Sequence, residues 1–241
     1  MKAFKLFSLF VAGALSAATV KAQTADEIIG KHIDAIGGAD NWKKVTSMVQ
    51  TGTMTVQGAN LDVVNTTLHM KGSRQDIVAM GMTNYQIMTP TAGWKFFPVQ
   101  GQQSPEPITE EEVKEGQESL DLQGNFIDYK TKGHTVEGLG KEDVDGTECF
   151  KLKLTTKGGK ATTYFLDAKT YLLIKSTTVV KANGQEAELS TTYSNYQKLP
   201  EGVLVPMSMA IPFAPGMNLD FSIAKVEINK PVDEAIFKPS K

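Results

Sequence analysis

Apolar and polar residues alternate with a period of two through most of the chain after Thr46. Between Thr46 and Val56 the even-numbered residues share one side and the odd-numbered residues share the other, which is the pattern of a β-strand. Similar segments follow, separated by short turns with hairpin chemistry such as Asp145-Gly146. The alternation predicts an antiparallel meander of about a dozen strands.

A meander of this length does not remain flat. Twist accumulates from strand to strand, and exposed sheet edges are a liability. We therefore predict a mainly β fold in which a single large curved antiparallel sheet forms an incomplete, open β-barrel with covering helices. No shift in composition marks a linker, so residues 23–241 are interpreted as one domain.

Two capping boxes mark the starts of the covering helices. Thr24 stands three residues before Glu27, and Thr109 stands three residues before Glu112, so each threonine and glutamate can satisfy the other's backbone N–H. The first helix is predicted to end at the glycine pair 37–38. The second is predicted to run to about residue 120 and to lie over the sheet as a surface excursion.

The segment between the last strand of the first meander and the second helix is predicted to be a loop. It contains Gly101, Pro105 and Pro107, and prolines forbid ladder pairing because they lack the backbone N–H. Since a covering helix must move to admit a ligand, this loop and the glycine pair 37–38 are interpreted as flexible points.

The first 22 residues have the pattern of a signal peptide. Lys2 and Lys5 precede an uncharged apolar run from Leu6 to Val20, and Ala22 supplies the small residue at a cleavage site. The run is shorter than the roughly 18 residues that cross a bilayer. We expect export across the inner membrane, cleavage after Ala22 and a periplasmic location.

Charge and cysteine content argue against two classes of protein. Without the three lysines of residues 1–22, the formal net charge falls from -2 to -5, which does not suit nucleic acid because phosphates require a concentrated basic face. Cys149 is the only cysteine, so no intramolecular disulfide can form. Neither a nucleic-acid partner nor a disulfide scaffold is expected.

Residues that carry catalysis or bind metals are few and scattered. His32, His69 and His134 lack the spacing of a metal site, and the neighbours of Cys149 do not form a nucleophile and base. We therefore predict no enzyme activity, no metal and no cofactor. An enzyme with a site too scattered to recognise is a third hypothesis, which alanine at these four positions would test.

Methionine is abundant, with ten residues in the chain. Thioether side chains suit surfaces that accept variable apolar ligands, and they also fill gaps in the core of a curved sheet; both readings stay open. If the more apolar register of each strand lines the concave face, the predicted ligand-binding residues are Met48, Met54, Leu68, Met70, Ile77, Ile87, Phe96, Phe150, Leu152, Leu154, Met207, Met209, Phe221 and Ile223.

Several short segments, in this order and spacing, carry a family resemblance. They are 26–29, 36–38 and Trp42, Gly52-Thr53-Met54, Gly93-Trp94, 140–146 with 150–152, 164–167, and 194–196 with Gly202-Val203 and Pro206. Together they resemble the LolA-like outer-membrane lipoprotein-sorting proteins of Gram-negative bacteria. The resemblance implies an unclosed antiparallel β-barrel, helices over its concave face and a hydrophobic cavity that holds acyl chains without catalysis. The arginine important in those carriers has no match, because the context of Arg74 differs.

Two non-enzymatic hypotheses follow. The first is a periplasmic carrier, a monomer that shields lipoprotein or lipid acyl chains in the half-barrel and exchanges them with transfer components of the inner and outer membranes. The second is a cell-envelope scaffold or protein-interaction module that has the same fold with a filled core. A bound, extractable ligand distinguishes them, because only a carrier holds one.

Overall fold

The computed structural model describes residues 23–182, 185–214 and 217–240, so the predicted signal peptide lies outside the described residues. The helices are α1 (Ala25–Ala35), α2 (Ala39–Trp42) and α3 (Glu110–Gly116). The strands are β1 (Ser47–Val56), β2 (Ala59–Leu68), β3 (Gly72–Ala79), β4 (Met82–Met88), β5 (Gly93–Phe96), β6 (Glu106–Pro107), β7 (Thr135–Val144), β8 (Thr147–Thr155), β9 (Ala161–Asp167), β10 (Leu173–Ala182), β11 (Gln185–Lys198), β12 (Leu204–Ala214) and β13 (Met217–Ile228). Short 3₁₀ turns cover Pro98–Gln100, Gln117–Leu120 and Glu234–Phe237.

All thirteen strands belong to one antiparallel sheet. Its order is β6-β5-β4-β3-β2-β1-β13-β12-β11-β10-β9-β8-β7, so strands that pair are also consecutive in the chain, except for β1 and β13. The strands β6 and β7 form the two edges and do not pair with each other. The predicted fold class, a single antiparallel sheet that forms an open half-barrel, is confirmed.

Both predicted capping boxes are present. Thr24 Oγ1 accepts the N–H of Glu27 at 3.2 Å, and the Glu27 carboxylate accepts the N–H of Thr24 at 2.9 Å. The same exchange joins Thr109 to Glu112 at the start of α3. Helix α1 ends before Gly37, whose φ of 109° no ordinary helical residue adopts. These local signals place both covering helices as expected.

The prediction that prolines exclude pairing between residues 100 and 108 is wrong at one point. Pro107 lies opposite Trp94 and Glu106 lies opposite Lys95, which makes β6 a two-residue strand. β6 is the outermost strand, and an edge position tolerates proline because the open side of the strand needs no hydrogen-bond donor.

One face of the sheet, here called the inner face, is covered by α1, α2, α3 and the connecting residues 121–134. Two apolar clusters fill it beneath α1 and α2. The cluster under α1 contains Ile28, Ile29, Phe126, Phe150, Leu152, Leu154 and Leu166. The cluster under α2 contains Trp42, Val45, Met48, Ile127, Val203, Val205, Met207, Ile223 and Ile228. Burial of these side chains fixes both helices against the sheet.

The opposite, outer face of β2–β5 is covered by the C-terminal segment, residues 229–240. Its apolar side chains pack in a cluster with Leu68, Tyr85, Ile87, Trp94, Phe96, Val232, Ile236 and Phe237. Arg74 belongs to this face: its guanidinium lies 4.3 Å from the Tyr85 ring centroid, donates two bonds of 2.9 and 2.8 Å to the same Asp76 oxygen, and donates to the carbonyl of Ile236 at 3.1 Å. The only arginine of the chain therefore holds the C-terminal segment on the side of the sheet away from α1.

Candidate ligand-binding site

A cavity of about 480 Å³ lies between the inner face of β1–β5 and residues 108–120, here called the α3 segment. Its lining includes Gln50, Asn65, Thr67, Ser73, Gln75, Gln86, Met88, Lys95, Ile108, Glu112 and Ser119. The volume lies within the range of roughly 300–1,000 Å³ that small-molecule sites occupy in proteins. Most of these side chains are polar, which the apolar patterning of the strands did not predict.

A row of amide side chains crosses the floor of the cavity. In the register of the sheet, Gln50 lies opposite Asn65, Asn65 opposite Gln75, and Gln75 opposite Gln86. Directly opposed residues of antiparallel strands have neighbouring side chains on one face, and Gln75 Nε2 donates to Asn65 Oδ1 at 2.9 Å. We call these four residues the amide row. Lys95, opposite Gln86, continues it on β5.

Charge is confined to the end of the amide row. Hydrogen bonds from the backbone and side chain of Thr109, and to a smaller extent the nearby Lys95 ammonium, lower the pKa of the Glu112 carboxyl. Glu112 is therefore ionised at neutral pH and offsets Lys95. Arg74 also borders the cavity, but its guanidinium is bound to Asp76 on the outer face. The cavity floor itself is neutral.

An apolar cluster adjoins the amide row on the same face. Met54, Val63 and Phe221 are buried there, and the partly buried side chains packed on them are Val56, Leu61, Ile77, Met209, Ile211 and Leu219. All of these residues come from strands, so the curl of the sheet alone brings them together. A small pocket of about 10 Å³ between them shares Gln50 and Asn65 with the cavity lining and Val63 and Phe221 with the cluster. The combined site has one polar end and one apolar end.

The α3 segment roofs the polar end through a few contacts. A Cβ placed on Gly116 would lie 2.3 Å from Met88 Cε, so this glycine lets the helix approach β4. Gln117 Nε2 donates to the carbonyl of Thr89 at 3.2 Å, and the carbonyl of Leu120 accepts the N–H of Met70 at 2.8 Å. The roof is attached by side-chain packing and a small number of hydrogen bonds.

The predicted lining residues occupy four places. The apolar cluster contains Met54, Ile77, Met209 and Phe221. The clusters beneath α1 and α2 contain Met48, Phe150, Leu152, Leu154, Met207 and Ile223. The outer face under the C-terminal segment holds Leu68, Ile87 and Phe96. Met70 lies in the turn after β2 and is 54% exposed.

The register predicted for β2, β4 and β5 is therefore corrected. Leu68, Ile87 and Phe96 face outward under the C-terminal segment, and of these three only Ile87 borders the cavity. The prediction missed the amide row, since it took the apolar side of each strand as the inner one. The amide row could have been predicted from the tight turns at Gln57-Gly58 and Met80-Gly81. The length of each turn fixes the register of its hairpin and therefore sets which amides lie opposite each other.

The histidines and the cysteine stand apart from the cavity floor. His32 is buried in the contact of α1 with the sheet, where its Nδ1 lies 2.7 Å from the carbonyl of Tyr171. Burial lowers the pKa of His32, so the imidazole is neutral there. Burial likewise raises the pKa of the Cys149 thiol to about 11, which makes it a poor nucleophile.

Two further classes of site find no support in the part of the chain that the structure describes. Within it, no three His, Cys, Asp or Glu side chains are grouped so as to hold a metal ion. Its helices also include none with the length and apolar character needed to span a membrane.

The comparisons with known proteins rest on structure. No protein-family model and no curated protein matches the sequence. A LolA superfamily protein from Nitrosomonas europaea aligns with 90% of this chain and 98% of its own, with a TM-score of 0.57 and 13% identity. The chain has a LolA-like fold. The resemblance seen in the sequence is thereby confirmed for the fold.

Two further solved structures share this LolA-like fold. A domain from Vibrio parahaemolyticus, assigned to outer membrane lipoprotein sorting, matches 88% of this chain and 95% of its own, with a TM-score of 0.57 and 13% identity. A DUF1329 family protein from Desulfovibrio piger matches 87% of this chain and 97% of its own, with a TM-score of 0.57 and 14% identity. Identities this low establish the architecture alone.

Proposed function

We propose that this LolA-like chain is a periplasmic carrier that binds the acyl chains of a lipid or lipoprotein on the inner face of β1–β5. The observation that carries the proposal is the cavity of about 480 Å³ beneath the α3 segment, which adjoins an apolar cluster. Binding an acyl chain along the partly exposed Ile77, Met209 and Leu219 removes apolar surface from water at about 25 cal/mol per Å², before ordering costs.

The proposed site is confined to one part of the half-barrel. Beneath α1, the side chains of Phe150, Leu152 and Leu154 are packed against Ile28 and Ile29, so that region offers no space for a ligand without loss of the α1 contact. The region over β1–β5 has the α3 segment as its roof instead, and a cavity lies under it. We therefore place the acyl chain along Met54, Ile77, Met209 and Phe221 and assign the other predicted lining residues to the packed clusters, except for the exposed Met70.

The signal-peptide pattern of residues 1–22 supports the periplasmic location in this proposal. A carrier working there as a monomer requires donors and acceptors of its cargo, which we propose are transfer components of the inner and outer membranes. Its cargo is bound without covalent chemistry, in keeping with a site whose floor is formed by amides and apolar side chains.

The scaffold hypothesis has one observation in its favour. The inner face beneath α1 and α2 is filled by the chain's own side chains, as a module with a filled core requires. The two hypotheses separate at the apolar cluster next to the amide row. A carrier needs that cluster for its cargo, whereas a scaffold needs it only for stability.

Ile77→Asp is expected to lower the affinity for a fluorescent fatty acid at least about tenfold, equal to about 1.4 kcal/mol. Ile77 packs on the apolar cluster, and a carboxylate there opposes burial of an acyl chain. Titration of the mature protein with the probe, followed by its emission, measures the effect. A scaffold without a ligand would not bind the probe in either form.

Val78→Asp is the matched control. Val78 adjoins Ile77 in β3, is 40% exposed and faces the opposite side of the sheet, so the same charge there should leave the affinity within about twofold. Equal losses for both variants at equal folded fractions would contradict the proposed location of the site.

A further inference from the structure

We infer that the amide row selects an uncharged headgroup rich in hydroxyls, so that the cargo is a neutral amphiphile of the glycosyl or glyceryl lipid class. This inference rests on the proposed function and adds the chemistry of the polar end. It is drawn from the side chains that meet in the cavity over β1–β4.

The amide row has unused hydrogen-bonding capacity. Each amide offers two N–H donors and one carbonyl acceptor, and the bond from Gln75 to Asn65 uses one of each. Among the residues that the structure describes, the side chains of Gln50 and Gln86 make no hydrogen bond. A hydroxyl both donates and accepts, so it can pair with an amide N–H and an amide carbonyl of the row together.

The shape of the row suits several hydroxyls in line. Neighbouring strands lie about 4.8 Å apart, so four amides on β1–β4 extend over roughly 14 Å. The hydroxyls of Thr67 and Ser73 lie one position further along the same face. A headgroup with hydroxyls spread over this length, such as a disaccharide, meets a partner at every strand.

The charges around the row disfavour an anionic headgroup. Lys95 is at one end of the row and is offset by the Glu112 carboxylate. Arg74, which could have supplied a second cation, is bound by Asp76 on the outer face. A phosphate or carboxylate there would meet neutral amides and no unpaired cation, so the amide row offers it no charge-assisted hydrogen bond.

A set of amphiphiles that share one decyl chain measures the effect of the headgroup alone. The probes are decyl maltoside, 1-decanoylglycerol, decanoate, decyltrimethylammonium and N-decanoylglycinamide, each below its critical micelle concentration. They compete with the fluorescent fatty acid for the mature protein. We expect decyl maltoside or 1-decanoylglycerol to displace the probe at concentrations at least about tenfold lower than the charged and amide compounds, because a site built for hydroxyls rejects groups that leave it unpaired.

Substitutions in the amide row test whether these side chains cause the headgroup preference. Combined Gln50→Leu, Gln75→Leu and Gln86→Leu should abolish the headgroup preference while the fluorescent fatty acid still binds, and Gln103→Leu, in the exposed loop before β6, should retain the preference. Equal or tighter binding of decanoate or N-decanoylglycinamide by the unaltered protein would overturn the inference. Binding of all decyl compounds without preference would contradict the headgroup inference but not the carrier proposal. No binding of any probe would contradict both.

Discussion

A disulfide that joins α3 to β4 is expected to abolish uptake of a two-chain lipid. Gly116→Cys and Met88→Cys can be joined after a small shift, since a Cβ on Gly116 lies 3.7 Å from Met88 Cγ, where the sulfur of a cysteine would stand, and the substitution also removes the thioether it would meet. The α3 segment roofs the polar end of the site, so a roof locked to β4 keeps the headgroup of the lipid out of the cavity of about 480 Å³. The α3 segment must therefore move, as covering segments do within about microseconds to milliseconds.

Uptake of a fluorescent diacylglycerol by the oxidised and reduced forms measures this effect. The reduced double variant is its own control and should take up the lipid within the mixing time, whereas the oxidised form should not fill within an hour. The buried Cys149 thiol, whose pKa is raised to about 11, does not compete in disulfide formation. Unchanged uptake after oxidation would show that the α3 segment is not a lid.

Gly37→Ala is expected to destabilise the fold by about 3 kcal/mol or more. Gly37 has a φ of 109°, and a Cβ there would lie 2.3 Å from the carbonyl oxygen of Gly202 and 2.8 Å from the Cα of Val203. The contact joins the end of α1 to the turn before β12, where the N–H of Leu204 donates to the carbonyl of Ile36 at 2.8 Å. Backbone atoms cannot yield as a flexible side chain can, so the junction must open.

Gly38→Ala supplies the comparison for this junction. Gly38 has φ 85° and ψ 149°, which residues other than glycine rarely adopt, but a Cβ there meets nothing within 4 Å, so backbone strain alone should cost about 1–3 kcal/mol, less than strain and clash together cost at Gly37. Urea unfolding followed by tryptophan fluorescence reports both variants, because Trp42 is buried beside the junction. Equal midpoints for the two variants would contradict the close approach of Gly37 to the turn before β12.

The sequence predicts the strands and helix starts because their signals are local. Period-two alternation marks β1, and three-residue spacing marks the capping box at Thr24, without reference to distant parts of the chain. The pairing of β1 with β13 has no such signal, because it joins segments at opposite ends of the sequence. The strands and the pairing of consecutive strands were therefore predictable, and the pairing of β1 with β13 was not.

The face of each strand depends on what covers it. Leu68 and Ile87 pack against Phe237 and the rest of the C-terminal segment. The alternation of apolar and polar residues does not show whether a helix or the C-terminal segment covers the apolar side of a strand. The amide row was recoverable in principle, since the turns between β1 and β4 fix which residues are opposed. Which headgroup the amide row binds depends on which of its N–H and carbonyl groups are free of other hydrogen bonds. Those bonds, such as the one from Gln75 to Asn65, are known only from the folded chain.

Native mass spectrometry of the mature protein purified from the periplasm tests the carrier proposal most directly. It should record a population heavier than the bare chain by the mass of an acyl-chain amphiphile, which solvent extraction removes. Ile77→Asp should lose this population, and Val78→Asp should keep it. A bare mass for the unaltered protein, together with no uptake of a fluorescent fatty acid, would contradict the carrier and favour a scaffold with a filled core.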